Sequence, residues 1–90
     1  MLKQLKNEIH NQVTSAIKAK QSVSIADVKV HVIDAGSDQV FVQVAGENIG
    51  RFSIIEQQYI NSTAAAVLDA VKTKFRDAGP EAALAAVKGN

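Results

Sequence analysis

The sequence predicts a two-layer α+β domain: a three-stranded antiparallel meander packed on helices, order α-β-β-β-α-α, with residues 1–90 as one domain. Three observations carry this. Apolar residues recur every three or four positions up to about Lys20, every second position between Val28 and Ile55, and every three or four again from Ala64. β-branched residues crowd the middle segment. The connectors inside it are short and each holds a glycine, which calls for hairpins, because a parallel crossover needs about a dozen residues or more.

The first helix is expected from about Leu2 to Lys20. Leu2, Leu5, Ile9, Val13, Ala16 and Ile17 form its apolar stripe, and polar residues fill the gaps. "QSVS" (21–24) breaks that pattern. In the first strand Val28, Val30 and Val32 alternate with Lys29, His31 and Ile33. After "AGSD", Val40, Val42 and Val44 alternate with Phe41, Gln43 and Ala45. After "GEN", Gly50, Phe52 and Ile54 alternate with Arg51, Ser53 and Ile55. Helix returns near Asn61, where "NST" offers a capping oxygen ahead of Ala64, Val67, Leu68, Val71, Phe75 and Ala78. Gly79 ends it, and Pro80 suits the first turn of a last helix, "PEAALAAVKG". The valine face needs cover, and the two long amphipathic helices supply it.

Bulk composition narrows function more than it defines it. The chain is 47% hydrophobic and 21% charged, as expected of a folded domain. Its aromatics are Phe41, Phe52, Phe75 and Tyr59, so the core is aliphatic, and self-association into a homodimer would help so small a core. A net charge of +1 announces neither nucleic acid nor membrane. Without cysteine there are no disulfides and no thiolate metal sites. The charged start "MLKQLKNEIHNQ" has no apolar signal core, and unbroken apolar runs such as Ala64 to Leu68 are too short to span a membrane. A soluble cytoplasmic protein is the expectation.

The sheet face opposite the valines holds the candidate site. Pairing Val32 with Val40 and Val42 with Phe52 gives the rows His31–Phe41–Ser53 and Lys29–Gln43–Arg51; a slip of two residues would keep the same face. Three readings follow. The face is simply solvated. Or it is a protein contact, with Ile33, Phe41 and Ile55 as an apolar strip that a second copy or a foreign protein buries. Or it binds nucleic acid, with bases stacked on Phe41 and phosphates met by Lys29 and Arg51. Lys3, Lys6 and His10 share a flank of the first helix and extend that last reading, although such a line is also what a solvated helix face looks like.

The remaining signals favour structural roles. Lys72, Lys74 and Arg76 complement a helix C-terminus. His10 and His31 lack the spacing of metal ligands, so no metal or cofactor is expected. No Gly-x-Ser-x-Gly elbow occurs, and "GENIGR" (46–51) is not a phosphate loop, because no Lys-Ser/Thr follows. "NST" (61–63) matches a glycosylation acceptor but reads better as a helix cap. Tyr59 in "EQQYI" has two readings: packed on the core with its hydroxyl at the rim, or on an extended strand edge that accepts a partner strand.

The α-β-β-β-α order, over about Leu2 to Ala78, resembles the layout of double-stranded-RNA-binding domains. That family reads the minor groove with a Pro-His-containing loop between its first two strands and grips phosphates with lysines opening its second helix. Here the loop is "AGSDQ" and the helix opens "NSTAAAVLDA", with no cation before Lys72. The resemblance stops at element order, which does not carry function. The leading expectation is a small non-enzymatic protein-interaction module, of the kind found among bacterial and phage accessory and inhibitor proteins. Its contact residues would be His31, Phe41, Arg51 and Tyr59. The alternative is a nucleic-acid binder using Lys3, Lys6, Lys29, Phe41 and Arg51.

Overall fold

The computed structural model describes residues 2–89. Its elements are α1 (Leu2–Ala19), β1 (Val23–Ile25), β2 (Val28–Asp34), β3 (Gln39–Val44), β4 (Glu47–Ser53), α2 (Gln57–Lys74) and α3 (Pro80–Lys88). The sheet is antiparallel with strand order β1-β2-β3-β4. The fold is therefore α+β with four strands, in the order α-β-β-β-β-α-α.

The fourth strand corrects the three-stranded expectation. β1 is three residues long and joins β2 through Ala26 and Asp27, both left-handed at φ 51° and 66°. Hairpin turns of this shape normally call on Gly or Asn, so nothing in "SIADVKV" marks the turn. The extra strand also departs from the double-stranded-RNA-binding layout.

Burial follows the two periodicities. Leu5, Ile9, Val13, Ala16 and Ile17 bury the stripe of α1. The valines of β2 and β3, with Phe52 of β4, bury the matching sheet face. α1 and α2 lie side by side and antiparallel: His10 meets Asn61, while Leu2 and Leu5 share a cleft with Lys72 and Phe75. α3 packs mainly on α1 and adds Ala83 and Val87 to the core.

α2 begins at Gln57, not near Asn61. Glu56 holds the N-cap position and its carbonyl accepts from Ile60 N–H, but its side chain makes no cap bond, because its carboxylate accepts from Ser53 N–H at 2.8 Å instead. The "NST" residues are thus one turn inside the helix. Thr63 is buried and donates to the Tyr59 carbonyl, and Asn61 serves side-chain contacts rather than a cap. A glycosylation acceptor needs an exposed loop, and this helix does not supply one.

The pairing register differs from the expected one by two residues. Val32 faces Val42, and Val40 faces Phe52. Hydrophobic alternation cannot separate these registers, since both keep the valines inside; the loop decides. Here Ala35 N–H donates to Gln39 O and Gln39 N–H to Gly36 O, which fixes a tight β2–β3 connection.

The β3–β4 turn uses Ala45 and Gly46, both at positive φ, 51° and 86°. Ala45 is exposed and carries a Cβ in a conformation that favours Asn or Gly. Ala45→Asn is expected to stabilise the fold by roughly 0.5–1 kcal/mol. A shift of the urea midpoint upward at unchanged slope checks this.

Candidate functional site

Lys29, His31 and Ile33 are exposed while Val28, Val30 and Val32 are buried, so the helices cover one face of the sheet and leave the other open. On that face the observed register builds three rows. His31 sits beside Gln43, which sits beside Asn48. Ile33 sits beside Phe41, which sits beside Arg51. Gln39 sits beside Ser53. The expected rows His31–Phe41–Ser53 and Lys29–Gln43–Arg51 are replaced by these.

The centre of the face is apolar. Ile33 is 49% exposed, and Phe41 is half-buried between it and Arg51. Around them are the amides of Gln39, Gln43 and Asn48, the hydroxyl of Ser53, the His31 ring and the Arg51 guanidinium. Gln43 Nε2 donates to Asn48 Oδ1 at 2.7 Å, and the Ser53 hydroxyl donates to Asp38 at 2.8 Å. Ile55 does not join the strip, because β4 ends at Ser53 and Ile55 stands in the turn before α2.

Arg51 is the clearest departure from a phosphate-binding role. Its Nε donates to Gln39 Oε1 at 3.1 Å, and its Nη2 donates to the Ala35 carbonyl at 3.0 Å. The guanidinium thus reaches from β4 across β3 to the end of β2. It braces the face instead of projecting from it. Lys29 is exposed and makes no ion pair among the described residues.

The structure does not bring the other candidates to this face. Tyr59 is in the first turn of α2, stacked on Phe52 on the covered side, with ring centroids 5.0 Å apart and planes 9° apart. It is neither on a strand nor at an edge. Lys3 and Lys6 lie on α1, in the helix layer. Lys6 lines a cleft of about 420 Å³ between α1 and α2 with His10, Asn61, Leu68 and Asp69. The five residues of the nucleic-acid set are therefore split between opposite sides of the domain.

One electrostatic clamp supports the face from its end. α1 closes with Lys20 N–H bonded to Ile17 O and Gln21 N–H to Ala16 O, with Lys20 left-handed at φ 54°. Glycine is the usual residue there. Lysine at this point sends its ammonium to Asp34 Oδ1 at 3.0 Å and to the carbonyls of Gly36 and Ser37. The hairpin bearing Ile33 and Phe41 is thereby tied to α1. The Gly36 N–H, then Lys20, hold the Asp34 carboxyl below its ordinary pKa.

The sign of that effect sets a pH dependence. A carboxyl lowered on folding adds stability above its unfolded pKa of about 3.9 and loses it as pH falls through the lower folded value. Asp34→Asn is expected to lower stability by a constant amount at neutral pH. The gap from wild type should close below about pH 4. Urea titrations across that range check it.

Among the described residues no group of three or more His, Cys, Asp or Glu side chains converges as a metal site would. No helix among the described residues is long and apolar enough to cross a membrane. No protein-family model, curated protein or solved structure matches the chain.

Sequence reasoning placed Lys29, His31, Phe41 and Gln43 on the open face but missed the amides of Gln39 and Asn48. Gln39 lay in a predicted turn, and Asn48 reaches the face only through a bulge. The Lys20 clamp had no sequence signal, since a left-handed lysine looks like any other.

Proposed function

We propose that the chain is a small non-enzymatic protein-interaction module whose open sheet face, centred on Ile33 and Phe41, meets a protein partner. The supporting observation is the row Ile33–Phe41–Arg51. It sets an exposed aliphatic side chain against an aromatic one and spends the neighbouring cation on internal hydrogen bonds. A mostly polar rim of Gln39, Gln43, Asn48, Ser53 and His31 surrounds this centre, the make-up of a protein contact with an apolar core and a polar rim. Nucleic acid would call for several free cations in one field and more than one stacking ring. In this proposal the protein acts in the cytoplasm by occupying a surface on a larger protein, as accessory and inhibitor proteins of bacteria and phages do. His31 supplies a rim contact, and Arg51 holds the surface in shape.

Co-purification with a tagged chain tests this. The partner should be retained by Lys18→Glu, on the outer face of α1, and lost with Ile33→Glu and Phe41→Ala. Retention with both sheet-face variants would sink the proposal. Fluorescence anisotropy with duplex RNA, duplex DNA and single-stranded RNA supplies the contrast. Binding that weakens between about 50 and 200 mM salt and disappears in Lys29→Glu would replace the protein partner with nucleic acid.

A further inference from the structure

The two edges of the sheet are built differently. β4 is interrupted near its middle by a bulge at Ile49, where pairing jumps from Val42↔Gly50 to Gln43↔Asn48, and it carries Glu47 and Arg51. β1 has no bulge, proline or charge from Gln21 to Ala26, and its shortness is its one safeguard. Ala45 N–H donates to Lys29 O, so the main chain of Lys29 is turned to β3. Ser24 is the β1 residue opposite Lys29. By the alternation of an antiparallel ladder, the N–H and C=O of Ser24 point away from the sheet. Ser22 extends the pairing by one rung with its side chain, accepting from Val32 N–H at 3.0 Å.

A groove of about 430 Å³ runs beside this edge, between Gln12, Ser15 and Ala19 of α1 and Gln21, Ser22 and Val23. It exists because α3 has 9 residues against the 18 of α1. α3 covers the flank of α1 only as far as Gln12, whose amide donates to Val87 O at 2.9 Å. From there to Ala19 the flank is open.

The charge of this surface selects its occupant. No residue lining the groove is charged, in a chain that is 21% charged. A two-fold axis sets each residue near it against its own copy, so a charge there would repel itself. A neutral surface is what a second copy of this chain requires. The shape agrees. If two β1 strands pair antiparallel around Ser24, the same axis lays the open halves of two α1 helices side by side and antiparallel. Each α3, ending at Gln12, then clears the end of the other α1.

The geometry points to self-association of this chain through the β1 edge and the open half of α1, joining two four-stranded sheets into one continuous sheet. Both open faces then look the same way and display the Ile33–Phe41 pair twice. The contact is small: three strand residues span about 10 Å and the open half of α1 about 12 Å. It falls at the low end of specific interfaces, so the dimer is concentration-dependent. It stands independently of the partner proposed for the open face.

Sedimentation velocity of the purified full chain from about 1 μM to about 1 mM tests this, since that range spans the affinities of weak dimers. The mass should rise from one copy to two. Ser15 is exposed and midway along the open flank. Ser15→Glu and Ser15→Lys alone should each stay single with unchanged circular dichroism, Ser15→Ala should still dimerise, and an equal mixture of the two charged variants should recover the dimer. Ser24→Asp tests the strand half in the same way. A wild type that stays single throughout overturns the proposal. So does a dimer indifferent to Ser15→Glu and Ser24→Asp, or a charged mixture that does not recover.

Discussion

Phe52→Ala is expected to remove about 3–5 kcal/mol of stability. Small domains hold only about 5–15 kcal/mol in total, so this change should bring the urea midpoint close to zero. Phe52 is 2% exposed and is the largest fully or nearly fully buried side chain in the core. It faces Val40 across the β3–β4 ladder and carries the Tyr59 ring on its own face. Truncation thus removes its own burial, leaves a cavity among aliphatic neighbours and strips the support from the first turn of α2. The stacking part is separable. Tyr59→Leu alone should cost about 1 kcal/mol, and the double mutant should cost less than the sum by about 0.5–1.5 kcal/mol. Additive single effects would show that the two rings are merely neighbours. The same result would return Tyr59 to consideration as a contact residue, since its role in the core rests on that stack.

What the sequence made legible was whatever one periodicity can encode. The change from helical spacing to alternation at Val28 located the sheet, and the valines named its buried face correctly. Three features escaped for physical reasons. β1 escaped because its turn uses Ala26 and Asp27 at positive φ, where glycine would have signalled a hairpin. The start of α2 escaped because the Glu56 carboxylate bonds back to Ser53 rather than capping the helix, so the polar run "EQQ" looked like strand or loop. The strand register escaped because two alignments bury the same valines. That last point matters most for function. In the expected register Phe41 has a histidine beside it and a second row holds two cations, which suits a phosphate backbone. In the observed one Phe41 has Ile33 beside it, and Arg51 is bound to Gln39 and Ala35. A two-residue slip, invisible to hydrophobic patterning, moves the face from mixed and cationic to apolar at its centre.

Gly50→Val is expected to cost about 2–3 kcal/mol, although nothing lies within 4 Å of the position a Cβ would take. The cost is in the backbone. Gly50 sits at φ 138°, a conformation that β-branched residues do not tolerate. The strain is relieved only by straightening the bulge, which is what places Ile49 against the core and Asn48 beside Gln43 on the open face. Straightening would rotate Ile49 away from α2 and break the Gln43–Asn48 bond. Gly50→Ala should have the same sign and a smaller size, and Gly50→Asn should be no milder than Ala, since φ 138° lies outside the αL region that Asn visits. Equal, near-neutral urea midpoints for all three would show that β4 does not depend on the bulge. A second readout follows from the edge. An unbulged β4 loses the device that keeps it from pairing, leaving the domain with two open edges instead of one. Folded Gly50→Val should therefore scatter light at concentrations where the wild type forms nothing beyond a dimer, and Ser15→Glu in the same chain should reduce that growth by closing the β1 end.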